Sequence, residues 1–160
     1  MDDLTPLAAK LGNALKAQNA MLTLAESCTG GMTAEVVTRV SGSSAWFERG
    51  FVTYSNAAKS EMLGVSSETI NQFGAVSEET AREMALGALK NSHADFAISI
   101  TGIAGPDGGN ADKPVGTVCF AWIGNNLPLT SMTNKTSGNR QQIRHQSVET
   151  AFLELLKLIT

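Results

Sequence analysis

Leu4, Leu7, Ala8, Leu11, Ala14 and Leu15 recur at helical spacing, which predicts an amphipathic helix at the start of the chain. Met21-Leu22-Thr23-Leu24-Ala25 predicts a short buried strand. It runs into Glu26-Ser27-Cys28-Thr29-Gly30-Gly31, after which Met32, Val36, Val37 and Val40 predict a second helix. Strand, glycine turn and helix in that order form a unit where α/β proteins commonly place chemistry.

Ser41-Gly42-Ser43-Ser44 breaks the second helix, and Phe51-Val52-Thr53-Tyr54 predicts another strand. Ser55 or Asn56 can cap a short helix through Leu63, and Ser66 another that ends at Gly74. Ser77 followed by Glu78 and Glu79 is a better start: the hydroxyl accepts an amide hydrogen and the carboxylates favour the positive helix end. Its apolar face is Ala81, Met84, Ala85, Ala88 and Leu89.

Phe96 to Ile100 predicts a strand ending at Thr101-Gly102, and Val118, Phe120 and Trp122 alternate as in the next. Gly124-Asn125-Asn126 can turn that one into a further strand over Leu127 to Thr133. Val148, Ala151, Phe152, Leu155, Leu156 and Ile159 mark a C-terminal amphipathic helix. Early alternation with a late hairpin predicts an α/β fold: a three-layer α/β/α sandwich whose mixed sheet includes a late antiparallel hairpin.

The 160 residues fit one domain spanning 1–160, and a chain of that length buries roughly 70% of its extended surface. A hydrophobic share of 42% with 17% charged residues is ordinary for a globular protein. The net charge of -3, without a long basic run, argues against general nucleic-acid wrapping, because each neutralised phosphate needs a cation. No apolar run approaches the roughly 18 residues that cross a bilayer. Met1-Asp2-Asp3-Leu4 is acidic where a secretory signal is basic, so a cytoplasmic protein without membrane attachment is expected. Cys28 and Cys119 then read as reduced thiols, and two His and two Cys so widely spaced form no zinc pattern.

Ser27 is the first chemical candidate. A serine hydroxyl is a poor nucleophile until a base takes its proton, and amides turned inward beside glycines can stabilise an oxyanion. The stretch is neither a P-loop nor G-x-S-x-G, since no Lys-Ser/Thr pair ends it and the glycines only follow the serine. Ser27 and Thr29 equally read as a helix cap and Gly30-Gly31 as a plain turn. Cys28 is a rival nucleophile, although adjacent strand-end side chains point apart, so only one of the two should face a cleft.

Tyr54 is the only tyrosine, and Lys59 follows five residues later near the first turn of a short helix. A Ser–Lys pair works without histidine if the lysine is partly neutral, which requires its pKa to fall by about 3, or about 4 kcal/mol. A half-buried tyrosine and a solvated lysine explain the same residues. The small residues of Thr101-Gly102-Ile103-Ala104-Gly105-Pro106-Asp107-Gly108-Gly109 let a ligand approach backbone amides, or simply make a surface turn. Arg140, with Arg144 one turn later, places two guanidinium groups near a helix start, where either could hold a phosphate or face solvent. His93 and His145 read as surface residues.

Together these stretches resemble the CinA C-terminal domain family. The resemblance is carried by Ala25 to Gly31, Gly42 to Asn56 with Lys59, Gly74 to Ser77, Thr101 to Gly109 and Lys113 to Val118, in order along nearly the whole chain. Stand-alone members of that family include nicotinamide-nucleotide amidase. The resemblance therefore implies hydrolysis of the carboxamide of nicotinamide mononucleotide, with Ser27 as nucleophile, Lys59 as its base and Tyr54 as a partner in proton transfer. It places the oxyanion near Thr29, Gly30 and Gly31, with Cys28 in the same turn. Nucleotide contacts fall to Thr101, Gly102, Ala104 and Gly105, and the phosphate to Arg140 or Arg144. No metal or cofactor is required. The N-terminal domain that many members carry, similar to molybdopterin-binding proteins, is absent from this sequence. A non-catalytic nucleotide-binding module and an interaction partner in a competence or stress response are the alternatives. The apolar faces of the terminal helices and an exposed Trp46-Phe47 pair, added to the resemblance, predict a homodimer.

Overall fold

A computed structural model describes residues 1–160. The elements run α1 (Thr5–Ala17), β1 (Leu22–Glu26), α2 (Met32–Thr38), β2 (Phe47–Val52), α3 (Asn56–Leu63), α4 (Ser67–Phe73), α5 (Glu78–Lys90), β3 (Phe96–Gly102), β4 (Thr117–Gly124), β5 (Leu127–Lys135) and α6 (Arg140–Ile159). The five strands form one sheet in the order β2-β1-β3-β4-β5. β2, β1 and β3 are parallel, whereas β4 and β5 complete the sheet as an antiparallel hairpin.

Side-chain size separates the two faces. Leu22, Leu24, Phe96, Ile98, Ile100, Val118, Phe120 and Trp122 alternate onto one face, where they form a core with α1, α2 and α6. The intervening Ala25, Ala97, Cys119 and Ala121 are small, and they let α5 lie close through Ala81, Ala85 and Ala88. Fully burying a leucine or phenylalanine contributes about 1.5–3 kcal/mol, so the large-residue face carries most of the apolar stabilisation. The Trp122 indole stacks on Phe120 and donates to Ala151 O at 3.0 Å, which joins α6 to the sheet.

Two expectations from the sequence need correction. The second strand ends at Val52 rather than continuing through Tyr54, because after the Thr53 amide bonds to Glu26 O the chain turns and Ser55 caps α3. The final helix starts at Arg140, the start read from the sequence, where Asn139 and Gln142 form a reciprocal capping box. Trp46 is not exposed. It is 1% accessible, and a Cβ on Gly12 would lie 2.4 Å from its indole, so α1 can pass over the ring only with glycine at that position. Phe47 is half-buried, and the apolar faces of α1 and α6 pack into the same core, so the expected exposed aromatic pair is not present.

The topology creates one switch point. From β1 the chain leaves through α2 to β2 on one side of the sheet, whereas from β3 it leaves through the loop 103–116 to β4 on the other. Neighbouring β1 and β3 therefore send their carboxyl ends apart, and ligands in open α/β sheets bind in such a crevice. Ser27 follows the end of β1, and Thr101-Gly102 ends β3.

Candidate active site

The Ser27 amide continues the sheet by donating to Ile100 O at 3.0 Å, after which the backbone breaks into a turn. Gly30 and Gly31 adopt φ of 56° and 102°, left-handed values that favour glycine. Glu26, just before the serine, is 1% accessible. Its Oε1 accepts from the Thr29 hydroxyl and the Gly31 and Thr33 amides, and its Oε2 from the Ala34 amide. A buried carboxylate thus occupies the amino end of α2, the position that any capping side chain would take.

This arrangement revises the expected oxyanion donors. The Gly31 amide is engaged by Glu26 and the Gly30 amide by Ser27 O, and the Thr29 hydroxyl is turned inward. The Cys28 and Thr29 amides make no backbone hydrogen bond, and of the two residues only Cys28 lines the cavity, Thr29 being fully buried. Gly30 and Gly31 shape the loop rather than touch the cavity.

Lys59 reaches the serine from the first turn of α3. It is 1% accessible, and its Nζ lies 3.0 Å from Ser27 Oγ, 3.1 Å from Thr53 O and 3.0 Å from Tyr54 O. Burial pushes its pKa below the ordinary 10.5, with a small opposing contribution from Cys28. Nζ donates to all three, and Ser27 Oγ in turn donates to Tyr54 O at 3.4 Å; once Nζ gives up a proton, the lone pair can face Oγ while the two carbonyls keep the remaining hydrogens.

Tyr54 lines the same cavity as Ser27 and Lys59. Its carbonyl orients Lys59, the residue is 62% exposed, and the phenol hydroxyl accepts from Arg140 Nη2 at 3.5 Å without a hydrogen bond to Ser27 or Lys59. The two arginines separate clearly. Arg140 lines the cavity beside Ser27 and Lys59 and donates to Gly105 O at 2.8 Å. Arg144 donates to Cys28 O at 3.1 Å and Thr29 O at 2.8 Å and lies outside the cavity lining.

The cavity measures about 240 Å³. Thr101, Gly102 and Ala104 form one wall as predicted, although the Thr101 hydroxyl is bound to Ala75 O. Gly105 lies just outside, where its carbonyl supports Arg140. Both Ser27 and Cys28 contribute to the lining, contrary to the expectation that only one would. Strand alternation no longer applies there, because Cys28 belongs to the turn. Burial pushes the Cys28 thiol up to about 12, so it stays protonated near neutrality and is a poor nucleophile. Asn56, Ala75 and Val76 complete the site and were not foreseen. Asn56 carried a signal, because it stands beside the helix cap three residues before Lys59. Ala75 and Val76 carried only that of the Gly74 to Ser77 stretch, which belongs to the family resemblance without pointing to a site.

A family model described as the CinA C-terminal domain matches residues 4–159. The nicotinamide-nucleotide amidohydrolase PncC of Enterobacter agglomerans is 53% identical over 155 residues, 94% of this chain and 94% of that protein. The same-named protein of Escherichia coli strain K12 is 54% identical over 96% of this chain and 93% of its own length. Among solved structures, the competence/damage inducible protein CihA from Agrobacterium tumefaciens aligns with a TM-score of 0.95 at 45% identity, covering 100% of this chain and 98% of that one.

Proposed function

The chain belongs to the CinA C-terminal domain family, and on that premise we propose that it is a serine amidohydrolase converting nicotinamide mononucleotide to nicotinate mononucleotide and ammonia. The observation that carries the mechanism is the buried contact of 3.0 Å between Lys59 Nζ and Ser27 Oγ, made without a carboxylate on the lysine.

Neutral Lys59 takes the Ser27 proton as Oγ bonds to the carboxamide carbon. The carbonyl oxygen becomes an oxyanion, received by the Cys28 amide at the cavity wall. Lys59 returns the proton to the amide nitrogen, the C–N bond breaks, and ammonia leaves an ester on Ser27. Water then attacks that ester while Lys59 takes its proton and passes it to Oγ, which frees the carboxylate and the serine. Lys59 makes the direct contact with the serine, and the Tyr54 phenol, which accepts from Arg140 and keeps its own hydrogen, stands at the same cavity as a partner in proton transfer. Arg140, held by Gly105 O and Tyr54 at the cavity wall, is the phosphate ligand.

A cytoplasmic location fits two buried, unpaired thiols, and no helix is long and apolar enough to cross a membrane. A homodimer is proposed on the family resemblance alone, and sedimentation would test it. The function itself is tested by ammonia release from nicotinamide mononucleotide with wild type, Ser27→Ala and Lys59→Ala. Wild type turns over, and each variant loses at least about 10²-fold. Wild type that binds the nucleotide without releasing ammonia would leave a binding module in place of the enzyme.

A further inference from the structure

We infer that Asn56 binds the leaving nitrogen of the carboxamide and so selects amides over esters; the inference rests on the amidase reading above. Asn56 is exposed and lines the cavity with Ser27 and Lys59. It is the first residue of α3, three before Lys59, and residues three apart on a helix are neighbours on its surface. Ser55 already caps that helix, which leaves the Asn56 side chain without that task. The other oxygen- and nitrogen-bearing side chains of the lining are engaged. Lys59 bonds to Ser27, the Thr101 hydroxyl donates to Ala75 O, and Arg140 donates to Gly105 O and to the Tyr54 phenol. The Asn56 amide alone has neither its oxygen nor its NH2 bonded within the protein.

The reaction needs an acceptor at that place. Attack by Ser27 Oγ sets the carboxamide carbon beside Lys59, and the nitrogen must face Lys59 to receive its proton. Its own two hydrogens then point elsewhere, and Asn56 Oδ1 is the unengaged side-chain acceptor next to the lysine. As the nitrogen takes up the proton it becomes positive, so its hydrogen bond to Oδ1 strengthens between ground state and transition state. Only a contact of that kind raises the rate of the chemical step. An ester presents an alkoxy oxygen there, with no hydrogen to donate, and the product carboxylate presents an anionic oxygen that the Oδ1 lone pairs oppose. Asparagine suits the place better than aspartate, because a carboxylate so close to Lys59 would favour its charged form.

The test compares wild type and Asn56→Ala on nicotinamide mononucleotide and on the methyl ester of nicotinate mononucleotide, which keeps ring, ribose and phosphate but has no N–H at the reacting carbon. The quantity compared is kcat/KM, which measures transition-state stabilisation from free enzyme and substrate. Asn56→Ala is expected to lower it about 10–10²-fold for the amide, the range of one hydrogen bond to a charged group, and less than about threefold for the ester. Affinity for the product, nicotinate mononucleotide, stays equal or rises. Equal losses on the two substrates, or product affinity lowered as far as the amide value, would overturn the inference. Asn56 would then serve the ribose, or the packing of α3 on α4, whose cavity of about 210 Å³ it also borders. Amide hydrolysis unchanged in Asn56→Ala would overturn it as well. Wild type inactive on the amide would remove the amidase reading itself, an outcome distinct from an active wild type indifferent to Asn56.

Discussion

Lys59 Nζ stands 3.0 Å from Ser27 Oγ while two backbone carbonyls, Thr53 O and Tyr54 O, occupy its other hydrogen-bonding directions. A lysine so placed loses the hydration that favours its charge and gains no anion in exchange. Burial therefore acts towards a neutral amine, and the geometry sets that amine against the hydroxyl.

That lowered pKa sets the pH dependence. In the free enzyme, kcat/KM rises with pH as Lys59 loses its proton and levels off below the ordinary 10.5. The sign for stability follows from proton counts. Between the lowered folded pKa and 10.5 the unfolded chain binds more protons, so the destabilisation due to Lys59 is complete below the folded pKa and relaxes as pH rises through that window. Rate profiles, with unfolding of wild type and Lys59→Met across the same range, check both. A kcat/KM that falls with rising pH would contradict the role of base.

Arg140 and substrate phosphate form the second prediction. Arg140→Ala raises KM for the mononucleotide by about tenfold to 10²-fold, the value of one charge-assisted phosphate contact. The riboside, with no phosphate to lose, is hydrolysed by variant and wild type with similar KM. Equal effects on the two substrates would remove the phosphate assignment.

Glu26 is the third. Glu26→Ala leaves three amides and a hydroxyl without their acceptor in a buried place, and destabilisation of about 3 kcal/mol or more is expected. Glu26→Gln costs less, because the amide oxygen can still serve three donors while its NH2 opposes the fourth. Urea unfolding of both variants measures the difference, and a Glu26→Ala within about 0.5 kcal/mol of wild type would show that α2 needs no cap from the core.

The fourth concerns Gly87. A Cβ there would sit 1.9 Å from Leu63 O, so Gly87→Ala must push α3 away from α5. Overpacking of this kind costs about 1–3 kcal/mol. Because α3 also carries Lys59, kcat falls together with thermal stability, and one variant examined by calorimetry and by rate reports both. Loss of stability with kcat intact would show that Lys59 is held by the Thr53 and Tyr54 carbonyls independently of the helix.

Much of this was legible in the chain itself. The helix starts at Ser55, Ser66 and Ser77 were readable because a hydroxyl before a helical run satisfies amides only a few residues away. The α/β/α layering followed from the strand and helix periods, and Ser27 and Lys59 stood out within motifs of their own. Trp46 was misjudged because what covers it is Gly12, a residue in another helix whose missing side chain has no hydrophobic signature.

The sequence by itself determined the elements, their order and which residues had chemistry to offer, because caps, turns and periodicity are local interactions. Only the tertiary structure decided how those residues are used. It brought Lys59 onto Ser27 and left the Tyr54 phenol with Arg140. It also assigned Arg144 to the nucleophile turn and Arg140 to the cavity, a choice that one turn of helix could not make. The physical reason is that burial and hydrogen-bond partners are properties of segments far apart in the chain, fixed only when the sheet brings the ends of β1 and β3 together.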